Sequence, residues 1–312
     1  MPPVLLSLTE SQALTALRSF LLSVVGNSIF VGSLAGSVLT VSGMIQGTVA
    51  VNQLIEDAGD LIAPGTRVTG FISGTGGAGT YAVSNVQTVS SEVMYGGVSV
   101  VRGQDNRVPE PLDGDFVVMT PITSKRLSWN DVNFSDGVFT GSTSGGVLTV
   151  SAVARGSLVP GMLVLDKTSA LAALTVLGNQ LTGTTGDAGT YVISPAQTVA
   201  SEVMYLGQRL DEIDTQLGVQ LDFHGPNATN NVFAVDAVFF SEYATNVFAE
   251  SGFDVHPLYA EPPRQSPFIN AEQQYEYRWT MDVQLQVNPV VTTPQQFADE
   301  VAVGVDPIVP QV

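Results

Sequence analysis

The amino-acid sequence predicts an α+β protein. Its core is expected to have a mostly antiparallel sheet and two main helices, and to carry two small inserted all-β domains. Three observations support this fold class: an internal repeat, apolar stripes of helical period, and one long segment of strict period-two alternation. The chain has 312 residues, of which 44% are hydrophobic, so it holds enough apolar material for packed cores.

The repeat organises the chain. Its clearest matches are two pairs of segments, Gly79–Ser84 with Gly189–Ser194 and Gln87–Tyr95 with Gln197–Tyr205. Short runs of Val, Leu, Thr and Tyr between Gly-rich turns are typical of small all-β domains. A solenoid would stack its repeats directly, whereas residues 96–140 separate these copies. We therefore predict two inserted modules, 33–95 and 141–205, in a core formed by 1–32, 96–140 and 206–312.

The first core segment predicts an amphipathic helix. Thr9 and Gln12 have the spacing of a capping box, and Gly26 is placed to end the helix. The predicted buried stripe is Leu14, Leu17, Leu21 and Val24.

A second helix is predicted between Pro226 and about Glu250, with Gly252 just past its end. Its predicted buried face is Phe233, Ala237, Phe240, Ala244 and Val247.

The predicted core strands are Val98–Val101, Phe116–Met119 and Val219–His224. The last strand, Tyr275–Val287, has an apolar residue at every odd position and a polar residue at every even one. This alternation predicts one buried face and one solvent-facing face.

Charge and composition exclude several classes of protein. The chain has 29 acids against 11 bases, a net charge of −18, which argues against nucleic-acid binding. It has no cysteine, so disulfides, thiol nucleophiles and cysteine-ligated metals are excluded. The first residues lack a basic region, and the uncharged stretch 19–55 is interrupted by glycines, so neither a signal peptide nor a membrane span is expected.

The sequence contains no motif that indicates catalysis or cofactor binding once its surroundings are considered. Gly74, Gly76 and Gly79 have dinucleotide-motif spacing, but a β-like segment follows them, which favours a turn. His224 and His256 could bind zinc together with a carboxylate, yet nothing in their spacing fixes such a site, and ordinary positions are favoured. We therefore expect no enzymatic activity, no cofactor and no metal.

Basic and acidic residues lie in different parts of the chain. Arg102, Arg107, Lys125 and Arg126 are close in sequence, whereas residues 206–312 hold 15 acids and three bases. Two interpretations remain open: these charges pair within one fold, or they set the register between neighbouring subunits.

The core segments carry a family resemblance. Val101–Pro111, followed by Gly114–Pro121 and Lys125–Ser128, resembles neck or tail terminator proteins of tailed phages. The resemblance continues through Leu221–Pro226, Pro257–Ala260 and Tyr275–Trp279. The repeats resemble Gly/Thr-rich β modules of phage structural proteins, and the family pattern is not expected to include them.

The resemblance implies a virion protein of the phage neck, made in the bacterial cytoplasm. It implies a ring, typically a homohexamer, that ends the tail tube and joins it to the head–tail connector. The implied partners are further copies of the chain, the tail tube protein, the connector or adaptor protein, and sheath or collar proteins, with genome DNA passing through the ring without specific binding. The expected interface residues are Arg102, Asn106, Arg107, Pro109, Pro111, Lys125 and Arg126.

The lining of the expected ring has one candidate surface in the sequence. Glu276 and Asp282 occupy the even-position face of the last strand, which either lines the lumen or faces bulk water. An alternative function is a virion surface binding or decoration protein, whose β modules recognise host glycans or neck fibres.

Overall fold

The computed structural model describes residues 5–103, 114–266, 268–269 and 275–295. The chain divides into two compact units. The smaller unit is built from residues 1–7, 130–213 and 290–312, and the larger unit from residues 8–129 and 214–289.

Helices and strands alternate irregularly along the described residues. The helices are α1 (Glu10–Val25), α2 (Ala228–Phe239) and α3 (Glu242–Glu250). The strands are β1 (Leu5–Leu6), β2 (Ser28–Gln46), β3 (Ile55–Asp57), β4 (Val68–Phe71), β5 (Gly79–Gly96), β6 (Ser99–Arg102), β7 (Phe116–Arg126), β8 (Asp131–Ser144), β9 (Val147–Arg155), β10 (Leu163–Asp166), β11 (Val176–Gly183), β12 (Gly189–Ser194), β13 (Val199–Glu212), β14 (Thr215–His224), β15 (Val255–Ala260), β16 (Arg264–Gln265), β17 (Phe268–Ile269), β18 (Tyr275–Glu276), β19 (Arg278–Val287) and β20 (Val290–Pro294).

The smaller unit is a closed β structure. Its strands pair in the order β13-β10-β11-β12-β9-β8, and β8 pairs again with β13, so six strands form a barrel. β20 and then β1 extend the sheet from β13. Closure removes free edges and encloses an apolar core that includes Phe139, Leu148, Tyr191 and Met204.

The core of the larger unit is a sheet covered by helices. The strand order is β15-β19-β14-β7-β6, with β16 beside β19, and every pairing except that of β6 with β7 is antiparallel. All three helices contribute apolar side chains to the same cluster as the strands. This confirms the predicted mostly antiparallel sheet of an α+β core.

The first repeat lies in the larger unit. β5 pairs with β2, β3 and β4, and the copy has an apolar cluster of its own that includes Phe30, Leu39, Tyr81 and Met94. β2, β8 and β13 run across positions 33, 141 and 205, so strands are continuous through the predicted module boundaries.

The two repeats share their polar contacts. In the first copy, the Ala63 N–H donates to Gln87 Oε1 (2.8 Å) and Gln87 Nε2 donates to Thr66 Oγ1 (2.9 Å). The same two bonds in the second copy are Ala172 N–H to Gln197 Oε1 (2.7 Å) and Gln197 Nε2 to Thr175 Oγ1 (2.7 Å). These bonds fold one loop onto the next strand, so the repeated residues determine a repeated loop.

A buried tyrosine closes each glycine-rich turn. Tyr81 and Tyr191 are fully buried, and their hydroxyls donate to the carbonyls of Gly77 and Asp187, each at 2.5 Å. The residues with dinucleotide-motif spacing lead into β5 and not into a helix, so the predicted turn is confirmed.

The first predicted helix is confirmed in detail. α1 begins after Thr9, whose hydroxyl and backbone complete a capping box with Gln12, and it ends at Gly26. The predicted stripe packs on the core, with Leu14, Leu17 and Leu21 buried.

The second predicted helix is wrong in two respects. It is broken into α2 and α3, bent by 87°, so the described residues contain three helices instead of the two predicted main helices. Ser241 has an extended backbone between them, and its hydroxyl donates to the Val238 carbonyl (2.6 Å), which competes with helix continuation.

The predicted buried face of α2 is also wrong. Phe233 and Phe240 are 51% and 62% exposed, whereas the buried residues of this helix are Ala228, Val232, Val235 and Phe239. α2 is apolar on both sides, so its periodicity could not decide which side faces the core.

The last predicted strand is shorter than its alternation suggested. β18 and β19 are separate, and Tyr277 between them is exposed. Met281, Val283 and Leu285 are buried as predicted, but Thr280 and Gln284 on the opposite face are buried too. Gln216 Nε2 donates to Gln284 Oε1 (2.9 Å), which shows how polar side chains of adjacent strands cover that face.

No single helix in the described ranges has the length and apolar character to cross a membrane. Taken together, the bent pair formed by α2 and α3 has enough length and apolar composition to do so.

Candidate interaction surfaces

Two predicted interface residues lie on an exposed strand edge. β6 pairs with β7 only from Phe116 to Met119, and every β7 residue from Ile122 to Arg126 is exposed. Lys125 and Arg126 are therefore on the surface, and within the described ranges neither has an ion-pair partner.

The loop after β7 continues this surface. Leu127 N–H donates to the Asp214 carbonyl (2.9 Å) and Ser128 Oγ to the Asp214 carboxylate (2.8 Å), which fixes the loop. Trp129 follows and is 93% exposed, an unusual position for so large an apolar side chain. We call Ile122, Lys125, Arg126, Leu127 and Trp129 the basic edge.

Arg102 is bound within its own chain. Its guanidinium donates to Ser11 Oγ (2.8 Å) and Thr15 Oγ1 (3.0 Å) on α1, and it lies 3.7 Å from the Asp60 carboxylate. For Arg102, these contacts agree with the interpretation that basic and acidic residues pair within one fold. Asn106, Arg107, Pro109 and Pro111 lie outside the described residues.

Arg102 adjoins a buried ionic cluster that joins the first repeat to the core. Arg18 on α1 is 4% exposed; its guanidinium contacts the carboxylates of Glu56 and Asp60 and donates to the Val100 carbonyl (2.9 Å). Ser99 Oγ donates to the other oxygen of Glu56 (2.7 Å). Burial raises the pKa of Glu56, and the nearby Arg18 and Ser99 oppose that rise.

The predicted lumen residues are placed differently from each other. Asp282 is partly buried on β19, and Arg264 Nη2 lies 3.4 Å from its carboxylate. Glu276 lies on the short strand β18, and its side chain is outside the described part of the structure.

The helices present a second surface. Phe233 and Ala237 on α2 and Phe240 just after its end form an exposed apolar stripe, and exposed Tyr243 follows on α3. Acids surround these aromatics, with Asp236 on α2 and exposed Glu242 at the start of α3. We call Phe233, Asp236, Phe240, Glu242 and Tyr243 the acidic aromatic face.

The histidines are placed apart from each other. His224 is buried and stacks on Phe116 with ring centroids 4.5 Å apart, whereas His256 contacts the Asp254 carboxylate at 3.0 Å. No group of three or more potential metal ligands occurs within the residues that the structure describes.

Residues 168–308 match the family model described as phage neck terminator protein. Residues 168–308 are therefore similar to phage neck terminator proteins. No curated protein matches the chain.

The family match confirms the resemblance drawn from the sequence. It supports a structural and non-enzymatic role, a location in the virion neck or tail, and interaction with other neck and tail proteins. The match starts inside the second repeat and covers residues 168–205, so the expectation that the family pattern leaves out both repeats is wrong there. Residues 101–128, which carried part of the resemblance, lie outside it.

Sequence reasoning missed two features that had visible signals. Arg18 lies four residues after Leu14 and three before Leu21, within the buried stripe of α1, and an arginine there signals a buried acidic partner. The sequence of α2 has apolar residues on every side, which signals that some of them remain exposed when the helix packs on the sheet.

Proposed function

We propose that this protein forms a closed ring in the phage neck, typically a homohexamer, that ends the tail tube and joins it to the head–tail connector. The family match over residues 168–308 is the observation that carries this proposal. The implied partners are the tail tube protein, the connector or adaptor protein, and sheath or collar proteins. The net charge of −18 favours a ring through which DNA passes without binding.

The ring is tested by its mass. We expect the purified protein, alone or with tail tube protein, to give particles of one uniform multiple of 32.7 kDa in light scattering. Negative-stain images of the same sample should show rings. Monomers only, even with tail tube protein present, would contradict the proposal.

The repeats are proposed to be modules that project outward from this ring. Each has its own apolar cluster and the same internal hydrogen bonds, which supports their being copies of one folding module. In this position they would contact collar proteins or neck fibres.

A deletion tests the role of the second module. Because Asp136 pairs with Gly207 across β8 and β13, Asn-Gly can replace residues 137–206 as a hairpin turn. We expect rings of reduced mass that still join heads to tails. Unjoined heads and tails would place the second module in the joint itself, and joined particles that no longer adsorb to cells would favour the surface-binding alternative.

A further inference from the structure

We propose that the basic edge of one subunit binds the acidic aromatic face of the next copy of the chain. This inference rests on the proposed ring and specifies which surfaces close it. A cyclic ring requires two different, complementary surfaces on each subunit, because each copy contacts its neighbours head to tail. The larger unit carries two such surfaces.

The two surfaces lie towards opposite edges of one sheet, separated across its strands. α3 packs on β15, the strand at one end of the order, and α2 packs over β14, β19 and β15. The exposed half of β7 lies on the other side, beyond β14. Paired residues run across the sheet from Val255 through Val287 and Thr215 to Arg126, three strand spacings or about 14 Å.

Their charges are complementary. The basic edge holds Lys125 and Arg126, which have no ion-pair partner in the described part of the chain. The acidic aromatic face lies in residues 225–263, a stretch with five acids and no lysine or arginine. Opposite potentials steer two copies together and penalise contact between like surfaces, which favours head-to-tail association.

Both surfaces also expose large apolar side chains that a partner would cover. Ile122, Leu127 and Trp129 are exposed near the two bases in sequence, and Phe233, Phe240 and Tyr243 are exposed near the two acids. Aromatic residues and arginine are the residue types most enriched at the centres of protein interfaces. The Phe233 ring is already held by a contact with Trp279 at 5.4 Å between centroids, so less conformational entropy would be lost on binding.

Charge reversal tests the pair. We expect Lys125→Glu/Arg126→Glu to raise the concentration needed for half-assembly by about 100-fold, because like charges then meet. The same loss is expected for Asp236→Lys/Glu242→Lys. A matched control, Arg155→Glu/Lys167→Glu, makes the same charge change at exposed positions of the smaller unit and should leave assembly unchanged.

Mixing the two reversed variants gives the decisive measurement. In an alternating ring the reversed edge of one variant meets the reversed face of the other, so a 1:1 mixture should recover rings that neither variant forms alone. Each variant should keep its thermal midpoint within about 3 °C of wild type, since Lys125, Arg126 and Glu242 are exposed and Asp236 is only half-buried.

The failures can be told apart. Wild-type protein that never forms rings overturns the proposed function itself. Wild-type rings together with unchanged assembly of both reversed variants, or no recovery on mixing, overturn this pair of surfaces only. Reversed variants that form normal rings but lose tail tube protein would assign the basic edge to the tube instead, and would also overturn it.

Discussion

The two repeats share one internal structure but attach to the rest of the protein differently. Both keep the two hydrogen bonds of Gln87 or Gln197 and the buried tyrosine. Both also have an aspartate, Asp57 or Asp166, whose carboxylate accepts backbone N–H groups of the following loop. Glu56, next to this aspartate in the first copy, corresponds to Leu165 in the second.

This difference and a second one at Asp60 separate the environments of the two copies. Glu56 pairs with the buried Arg18 of α1, and Asp60, which corresponds to Ser169, contacts the same guanidinium. The second copy instead closes into a barrel whose strand β13 also pairs with β20. A module can therefore keep its own fold while two positions, Glu56 and Asp60, differ in what they contact.

The largest expected effect is at Arg18. Arg18→Met should lower the free energy of unfolding by about 3–5 kcal/mol, because Glu56 is left buried without its partner. The double variant Arg18→Met/Glu56→Leu, which gives the first copy the leucine of the second, should recover most of that loss. Urea unfolding measures both.

The control for Arg18 is Arg155→Met, which breaks the exposed pair with Asp136 (2.6 Å) and should cost about 1 kcal/mol or less. An Arg18→Met variant as stable as this control would show that the ionic cluster does not anchor the first copy.

Removing the tyrosine hydroxyls should affect the two copies unequally. Tyr191→Phe removes the hydrogen bond from the hydroxyl of the fully buried Tyr191 to the Asp187 carbonyl, at a cost of about 1–2 kcal/mol. Tyr81→Phe should cost more, because the hydroxyl of Tyr81 also accepts the Gly76 N–H (3.2 Å). Thermal unfolding compares them with Tyr243→Phe, an exposed control expected to change stability by less than about 0.5 kcal/mol. The reverse order would show that the turns differ in ways beyond this bond.

A carboxylate in each copy should make stability depend on pH, and the two contributions should have opposite sign. Burial raises the pKa of Glu56 above its ordinary value of 4.5, so the folded state holds that proton longer than the unfolded state. Stability is then lost as the pH rises from 4.5 through the folded pKa, by at most about 1.4 kcal/mol per pH unit. Glu56→Gln should remove this slope.

Asp166 provides the opposite case. Burial disfavours its ionised form, but hydrogen bonds from Thr168, Leu171 and Ala170 outweigh burial and lower the pKa of Asp166 below 3.8. Stability is therefore lost as the pH falls below 3.8, and Asp166→Asn should remove that loss. Chemical denaturation at a series of pH values tests both. If the free energy of unfolding depends on pH equally in wild type and in a variant, the substituted residue is not the group responsible.

The smallest expected effect concerns one loop position. Gly65 and its counterpart Leu174 both have left-handed backbones, with φ of +74° and +60°. Leucine is strained there, so Leu174→Gly should stabilise the protein by up to about 1 kcal/mol. Leu181 is equally exposed but lies in β11, and Leu181→Gly should destabilise by about 0.5–1 kcal/mol. A loss of stability in Leu174→Gly would mean that its side chain makes a needed contact.

Local patterns were enough to predict α1, the glycine-rich turns and the positions of the core strands. In each case the determining interactions lie within a few residues, as in the capping box of Thr9 with Gln12. The family resemblance was also readable from short segments such as 221–226, which fall inside the matched region. The candidate surfaces were predicted in part, since Lys125 and Arg126 are exposed but Arg102 is committed to α1.

The rest depended on long-range packing. The outward stripe of Phe233 and Phe240 follows from which side of an evenly apolar helix meets the sheet. The burial of Thr280 and Gln284 follows from neighbouring strands that are distant in sequence.

By itself, the sequence determined the duplicated module, the acidic balance and the type of each main element, because composition and periodicity act locally. Only the tertiary structure decided that Arg18 meets Glu56, 38 positions away, and that one apolar face of α2 remains exposed. The physical reason is the same in both cases. A buried charge or an apolar face has a preferred environment, but the chain segment that supplies it is chosen by the packing of the whole fold.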